Sequence, residues 1–208
     1  MSKISFVYFD VGGVLIKDFS ASNKWRQMMS DMGVKEADYP KFDFIYDEHA
    51  QRINLALPID NLIPILEKEF KLSIPWEHSW LDEFVARFET NPAINEIVTQ
   101  VSKKAHVGLL TNMWPGMLDK IKNAKLLPES AWTSVVDSTV AHLQKPDKEI
   151  YEYAKELAGV PHNEILFVDN TAKHLIEPKK LGWQTFLYNS SDYDQSNRDL
   201  ADFISHNL

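Results

Sequence analysis

The sequence predicts an α/β protein, with a Rossmann-like parallel sheet as its core and a small helical cap. Two observations carry this prediction. From residue 91 onward, short apolar runs rich in β-branched and aromatic residues alternate with segments of helical periodicity. Residues 17–90, between the first apolar run and this alternation, have helical patterning and no strand of comparable quality. Alternating strands and helices form parallel sheets covered by helices on both faces.

The first strand is predicted at Ile4–Phe9 and leads directly into Asp10. Gly12 and Gly13 follow at once. Glycine is unfavourable inside a strand, but it allows a sharp turn and a close approach of the backbone to a ligand. The Asp10 side chain is therefore expected to be displayed at the end of a buried strand.

Residues 17–90 contain two stretches with the spacing of amphipathic helices. The first runs from Leu62 to Phe70 behind Asp60, a predicted N-cap, and the second runs from Leu81 to Phe88. The aromatic residues of this region are expected to form its core rather than to contact a ligand; they include Trp76 and Trp80.

Four further strands are predicted as short apolar runs at Ala105–Leu110, Ser134–Val136, Ile165–Val168 and Trp183–Tyr188. In open α/β sheets, ligands bind beyond the carboxyl ends of the strands. Asp10, Thr111 and Asp169 follow three of the predicted strands. The sequence thus predicts a polar site that is assembled from three separate parts of the chain.

The helices between these strands are expected to begin at prolines, which are favoured in the first helical turn. The first begins at Pro92 behind Asn91, a predicted cap, and others begin at Pro115 and Pro146. The stretch Tyr188–Asn197 is the most turn-like part of the chain.

The composition argues against several classes of function. With 208 residues, of which 44% are hydrophobic, the chain can form one domain or a domain with an insertion. A formal net charge of -8 argues against nucleic acids and anionic membranes as partners. The lack of cysteine excludes disulfides and thiol chemistry. No apolar run is long enough for a membrane span and no signal peptide is evident, so a cytoplasmic location is expected.

Four motifs resemble those of the haloacid dehalogenase-like (HAD) hydrolase superfamily. They are DVGGVL at residues 10–15, LLTN at 109–112, QKPDKEIY at 144–151 and FVDN at 167–170. Each motif alone is weak, but their order and spacing, with a helical stretch between the first and the second, are specific. The resemblance implies a HAD-like core of residues 1–16 and 91–208 and an inserted cap of residues 17–90.

The resemblance implies phosphoryl transfer, and the residue types suit that chemistry. Asp10 is the expected nucleophile, which attacks phosphorus and forms an aspartyl phosphate. Because phosphate oxygens repel a carboxylate, positive charge and hydrogen-bond donors must surround the reacting group. Lys145 is the expected catalytic cation and binds phosphate together with Thr111 and Asn112. The helix expected after Thr111 adds the positive end of its dipole. A small phosphorylated metabolite is the expected partner.

Mg²⁺ is the expected cofactor. It takes oxygen ligands and neutralises the charge of a transferring phosphoryl group. The expected ligands are the carboxylates of Asp10 and Asp169 and, by the resemblance, the backbone carbonyl of Gly12. Asn170 is expected to hydrogen-bond a water of the metal or to orient Lys145.

Two positions depart from the pattern of the superfamily. Gly12 stands where a second Asp protonates the leaving group, and losing a general acid costs about 10²- to 10⁴-fold in rate. Asn170 stands where a second acid is frequent. A catalytically impaired pseudoenzyme or phospholigand-binding protein is therefore one alternative. A 2-haloacid dehalogenase is another, although the resemblance gives such enzymes no metal and a Ser at the position of Asp169. Packing is the expected role of three residues near the mouth of the site: Met113, Trp114 and His174.

Overall fold

The computed structural model describes residues 3–75, 77 and 79–208. In chain order the strands are β1 (Phe6–Phe9), β2 (Ile16–Lys17), β3 (Glu89–Thr90), β4 (His106–Thr111), β5 (Ser134–Asp137), β6 (Ile165–Asp169) and β7 (Gln184–Leu187). The α-helices are α1 (Lys24–Asp31), α2 (Tyr39–Leu55), α3 (Ile63–Phe70), α4 (Trp80–Val85), α5 (Pro92–Ser102), α6 (Met117–Asn123), α7 (Ser138–Ala141), α8 (Lys148–Ala158), α9 (Ile176–Leu181) and α10 (Tyr193–Asn207).

A five-stranded parallel sheet, in the order β5-β4-β1-β6-β7, lies at the centre of the fold. Phe6 of β1 pairs with His106 of β4 on one side and with Ile165 of β6 on the other. Asp10 directly follows β1, the central strand. It therefore lies at the middle of the carboxyl edge of the sheet, between the ends of β4 and β6. The predicted Rossmann-like parallel sheet is confirmed.

Helices cover both faces of the sheet, as predicted. Alternate residues of a strand point to opposite faces. Phe6 and Tyr8 accordingly belong to one buried cluster, which α8 and Trp183 complete. Val7 and Phe9 belong to a second cluster, which includes α5, α6, α10 and residues between β2 and β3. Among the described helices, none combines the length and the apolar character that crossing a bilayer requires.

The chain leaves the sheet region through β2 and returns through β3. Ile16 pairs with Thr90 and Lys17 with Glu89 in a two-stranded antiparallel sheet. Helices α1 to α4 lie between these two strands in the sequence. This strand pair was not predicted, because two residues are too few to show a periodic pattern.

Within residues 17–90, the structure corrects the predicted role of Asp60. Asp60 is not a helix cap, because it lies inside a 3-10 turn over Ile59–Leu62 that precedes α3. Its carboxylate instead accepts a hydrogen bond from the backbone N–H of Trp80 at 2.6 Å, which joins this turn to the start of α4. Trp80 is fully buried, as expected, and Trp76 lies outside the described residues.

The helix predicted from Pro115 begins two residues later than predicted. Helix α6 starts at Met117, and residues 112–116 form a loop. Trp114 precedes Pro115, and a residue before proline avoids the helical conformation. Its side chain is also buried, with its ring stacked on Phe84 at a centroid distance of 4.0 Å. The expected contribution of a helix dipole near Thr111 stays a prediction.

The turn-like stretch Tyr188–Asn197 is only partly a turn. Helix α10 begins inside it, and Asp192 caps this helix by accepting a hydrogen bond from the backbone N–H of Gln195. The helix buries Leu200 and Ile204 against the core. This helix was not predicted, because it contains few apolar residues and its helical periodicity is therefore weak.

Candidate active site

A buried cluster of charged side chains lies at the carboxyl edge of the sheet. The Lys145 ammonium is 3.0 Å from Asp10 Oδ1 and 2.6 Å from Asp169 Oδ2. The Thr111 side chain acts to lower the pKa of Asp10. All four residues are buried. Thr111 ends β4 and Asp169 ends β6, while Asp10 directly follows β1 and Lys145 lies in the loop before α8. These residues meet because adjacent parallel strands end at the same edge of the sheet.

Asn112 holds the backbone of Lys145 in place. Its Nδ2 donates a hydrogen bond to the Lys145 carbonyl at 3.0 Å, and its Oδ1 accepts one from the Lys145 N–H at 2.9 Å. The side chain predicted to bind phosphate therefore spends its acceptor and one of its two N–H groups on Lys145. A single N–H of the Asn112 amide is left for a ligand.

His174 lies in the site, although the sequence indicated a packing role. Its Nδ1 is 3.1 Å from Asp169 Oδ2, and Asp169 Oδ1 accepts a hydrogen bond from the Thr171 N–H at 2.7 Å. Burial lowers the pKa of His174 against the opposing effect of Asp169, which favours a neutral ring that donates from Nδ1. His174 lies five residues after Asp169, and this spacing predicts a contact between them only once the turn that connects the two residues is known.

The charges of the cluster do not cancel, because two carboxylates face one ammonium. Burial raises the pKa of Asp10; Lys145 opposes this effect and Asp169 adds to it. Burial acts on Asp169 as well, but the Lys145 charge and the His174 hydrogen bond outweigh it and hold the pKa of Asp169 low. Lys145 and Asp169 thus form an ion pair in which both groups stay ionised. Asp10 is the group that another positive charge would help to ionise.

Gly13 allows polar groups from separate loops to meet beside Asp10. Its φ is +72°, and a Cβ at this position would lie 2.8 Å from Ser190 Oγ and overlap the Asn170 amide. Ser190 donates to the Gly13 carbonyl at 2.7 Å, while Asn170 Nδ2 donates to Ser190 Oγ at 2.9 Å and to Ser20 Oγ at 3.1 Å. Asn170, which follows β6, therefore joins the segment after β2 to the loop after β7.

We expect Gly13→Ala to destabilise the protein more than Gly182→Ala. Both glycines have positive φ, but a Cβ at Gly182 meets nothing within 4 Å. The conformational cost of alanine is about 1–2 kcal/mol at either site. The clash at Gly13 should add about 1–3 kcal/mol, typical of overpacking. Urea unfolding of both variants measures the difference, and equal losses would contradict the packing described around Gly13.

Asp18 occupies the space beside Gly12. A Cβ at Gly12 would overlap Asp18 Oδ2 and would lie 3.3 Å from its Cγ. Asp18 Oδ1 accepts a hydrogen bond from the Ser20 N–H at 2.8 Å. Burial raises the pKa of Asp18, although the hydrogen bonds from Ser20 lower it. Asp18 was not predicted as a site residue, since no motif marks a carboxylate eight positions after Asp10.

A cavity of about 230 Å³ opens beside Asp10. Aromatic residues form its outer wall: Trp114 stacks on Phe84 and donates from Nε1 to the Tyr46 hydroxyl at 3.2 Å. Trp114 thus packs as expected and also faces the cavity. Among the described residues that line the cavity, Lys145 is the single lysine or arginine.

The cluster contains atoms that could act as ligands of a divalent cation. One carboxylate oxygen each of Asp10 and Asp169 and a ring nitrogen of His174 lie within 4.8 Å of one another. Carboxylate oxygens and an excess of negative charge suit a hard cation such as Mg²⁺. The hydrogen bond from His174 orients Asp169, as outer groups commonly orient a metal-binding carboxylate.

Neither protein-family profiles nor curated protein sequences match this chain. Solved structures do: a predicted HAD-like family hydrolase from Porphyromonas gingivalis aligns with a TM-score of 0.73 and 18% identity, over 96% of this chain and 98% of that chain. This chain has the HAD-like fold. The fold that the resemblance of the four motifs implies is therefore confirmed.

Two other proteins with the HAD-like fold differ in what they bind. A HAD family enzyme from Bacteroides thetaiotaomicron, in complex with magnesium and inorganic phosphate, aligns with a TM-score of 0.68 and 14% identity, over 91% of this chain and 96% of that chain. An L-2-haloacid dehalogenase from Xanthobacter autotrophicus, with chloropropionic acid covalently bound, aligns with a TM-score of 0.58 and 19% identity, over 89% and 77% of the two chains.

Proposed function

We propose that the protein is a Mg²⁺-dependent phosphohydrolase that acts on a small phosphorylated metabolite through an aspartyl phosphate on Asp10. The observation that carries this proposal is the ammonium of Lys145 between the carboxylates of Asp10 and Asp169, beside an open cavity. This arrangement places a nucleophile and a fixed positive charge side by side. It also leaves negative charge for a divalent cation to balance.

In the proposed reaction, a carboxylate oxygen of Asp10 attacks phosphorus as the bond to the leaving oxygen breaks. Lys145 and the Thr111 hydroxyl stabilise the charge on the phosphoryl oxygens. Asn112 keeps Lys145 in position through its two backbone hydrogen bonds. A water molecule then attacks the phosphorus of the aspartyl phosphate and releases inorganic phosphate, which restores Asp10.

Asp10, Asp169 and the Gly12 carbonyl are the proposed Mg²⁺ ligands, with His174 orienting Asp169. When bound, Mg²⁺ neutralises charge on the phosphoryl group and favours the ionised form of Asp10. The Bacteroides enzyme of the same fold, in complex with magnesium and phosphate, supports this choice of cation.

The cavity supports a small substrate with a single phosphate group. Its volume is about 230 Å³, and Lys145 is its one lysine or arginine among the described lining residues. Further phosphate groups would need further cationic partners. The aromatic wall of Tyr46, Phe84 and Trp114 would contact the remainder of the substrate, on the side of the proposed cap.

A 2-haloacid dehalogenase is the second candidate, and the dehalogenase from Xanthobacter autotrophicus with the same fold favours it. In that reaction Asp10 would attack carbon, and halide would leave. The presence of two buried carboxylates, Asp10 and Asp169, beside the single ammonium of Lys145 favours the phosphohydrolase, because displacement of a halide does not call for a divalent cation. A pseudoenzyme that binds a phosphorylated ligand remains the third candidate, and turnover would exclude it.

We expect the protein to hydrolyse p-nitrophenyl phosphate with Mg²⁺, and EDTA to lower kcat/KM by at least about a hundredfold, because a metal contributes several kcal/mol to stabilising transition-state charge. Excess Mg²⁺ should restore the rate. The same preparation is assayed with L-2-chloropropionate. Halide release that EDTA does not affect, without phosphate release, would replace the phosphohydrolase by the dehalogenase. Phosphate binding without either turnover would favour the pseudoenzyme.

A further inference from the structure

We propose that Asp18 is the general acid of this site and delivers the proton that the leaving group needs. This inference rests on the proposed phosphohydrolase function. Its basis is the position of the Asp18 carboxyl group, which lines the same cavity as Asp10 and lies against the Cα face of Gly12. Gly12 itself has no side chain to donate a proton.

The loop after β1 places Asp18 there. Residues 11–16 form a tight turn in which the Gly13 N–H donates to the Ile16 carbonyl at 2.9 Å and the Ile16 N–H donates to the Val11 carbonyl at 3.1 Å. This turn folds the chain back, so that the residues following Ile16 pass beside Gly12. The Ser20 N–H fixes one carboxyl oxygen of Asp18, and the other faces Gly12.

Asp18 is also the best placed proton donor among the described residues that line the cavity. The Lys145 ammonium is held by two carboxylates, and the His174 ring is bound to Asp169. The Tyr46 hydroxyl accepts a hydrogen bond from Trp114 in the aromatic wall of the cavity. Gly12 leaves the space that the Asp18 carboxyl group fills, and a side chain at position 12 would displace it.

The proton balance of the proposed step is complete. As Asp10 attacks, the phosphorus–oxygen bond to the leaving group breaks, and the Asp18 carboxyl proton moves to the leaving oxygen to give an alcohol. The resulting Asp18 carboxylate then takes a proton from the water that attacks the aspartyl phosphate. Inorganic phosphate leaves, and both Asp10 and Asp18 return to their starting states.

The test is the dependence of Asp18→Asn on the leaving group. An alkyl phosphate needs a general acid, whereas p-nitrophenolate leaves without protonation. We therefore expect Asp18→Asn to lower kcat/KM by about 10²- to 10⁴-fold for an alkyl phosphate such as glycerol phosphate, and much less for p-nitrophenyl phosphate. The comparison uses kcat/KM because this constant does not include hydrolysis of the aspartyl phosphate.

Asp31→Asn is the matched control, because Asp31 is an exposed carboxylate that pairs with Arg87 away from the cavity. It should leave both rate constants near wild type. Equal losses for both esters in Asp18→Asn, or no loss, would overturn the general-acid role while the phosphohydrolase stands. If the wild-type protein hydrolyses neither ester, the proposed function fails and the role of Asp18 fails with it.

A second measurement tests the placement of Asp18 without reference to activity. Gly12→Ala adds a Cβ that overlaps Asp18 Oδ2, so it should lower Tm in the wild-type background. The same substitution should lower Tm much less in the Asp18→Gly background, where the overlapping atom is gone. An equal decrease in Tm in both backgrounds would overturn the placement of Asp18 against Gly12, whatever the kinetics show.

Discussion

Asp10→Asn is expected to lower turnover by at least about 10⁴-fold, because it removes the proposed nucleophile and no neighbouring group can form the same covalent intermediate. The fold should be retained. Asn has nearly the same shape as Asp, and the ion pair between Lys145 and Asp169 at 2.6 Å does not depend on Asp10. Burial and the charge of Asp169 disfavour the ionised form of Asp10, so removing its charge should not lower the free energy of unfolding.

The measurement is steady-state phosphate release together with thermal unfolding. Asp137→Asn is the matched control, because Asp137 also lies buried at the carboxyl end of a strand but caps α7 outside the cavity. It should keep near wild-type activity. Unchanged activity in Asp10→Asn would exclude the aspartyl phosphate, and an unfolded Asp10→Asn variant would show that Asp10 is needed for the structure.

Lys145→Met is expected to remove activity and also to destabilise the fold by about 3–5 kcal/mol, the usual cost of deleting one partner of a buried ion pair. Two carboxylates, Asp10 and Asp169, would then face each other in the interior without a positive charge. For a chain of this size the loss corresponds to a decrease in Tm of about 6–20 °C. Phosphate release and thermal unfolding in EDTA measure both effects.

Mg²⁺ separates the electrostatic cause from a general packing defect. A divalent cation that binds Asp10 and Asp169 replaces the missing charge, so Mg²⁺ should raise the Tm of Lys145→Met more than that of the wild-type protein. Lys148→Met is the control: Lys148 is exposed on α8 and pairs at the surface with Glu152, and such pairs contribute about 0–1 kcal/mol. A Lys145→Met variant as stable as Lys148→Met would contradict the buried cluster.

The sequence predicted the sheet and the convergence of Asp10, Thr111 and Asp169, because parallel strands end at one edge and each strand was a clear apolar run. Lys145 followed from the motif around Pro146. Local patterns thus sufficed where the relevant residues directly follow a regular element. The roles of these residues in catalysis and metal binding stay predictions that the variants above test.

The remaining parts of the site depend on contacts between distant residues. Asn112 was assigned to phosphate, but its partner is the backbone of Lys145, 33 residues away in the chain. Met113 and His174 were assigned to packing, yet both line the cavity. Asp18 carried no signal, because its nearness to Gly12 follows from a turn whose hydrogen bonds no sequence pattern specifies.

The pairing of β2 with β3 has a consequence for how such a chain can diversify. Ile16 and Thr90 are neighbours in space, so the polypeptide between them begins and ends at adjacent positions beside the parallel sheet. The entropy of closing such a loop grows only slowly with its length. Lengthening or exchanging the part of this stretch beyond Ser20 would leave Asp18, the register of the parallel strands and the groups at their ends untouched. Selectivity for new compounds can therefore evolve separately from the reaction chemistry.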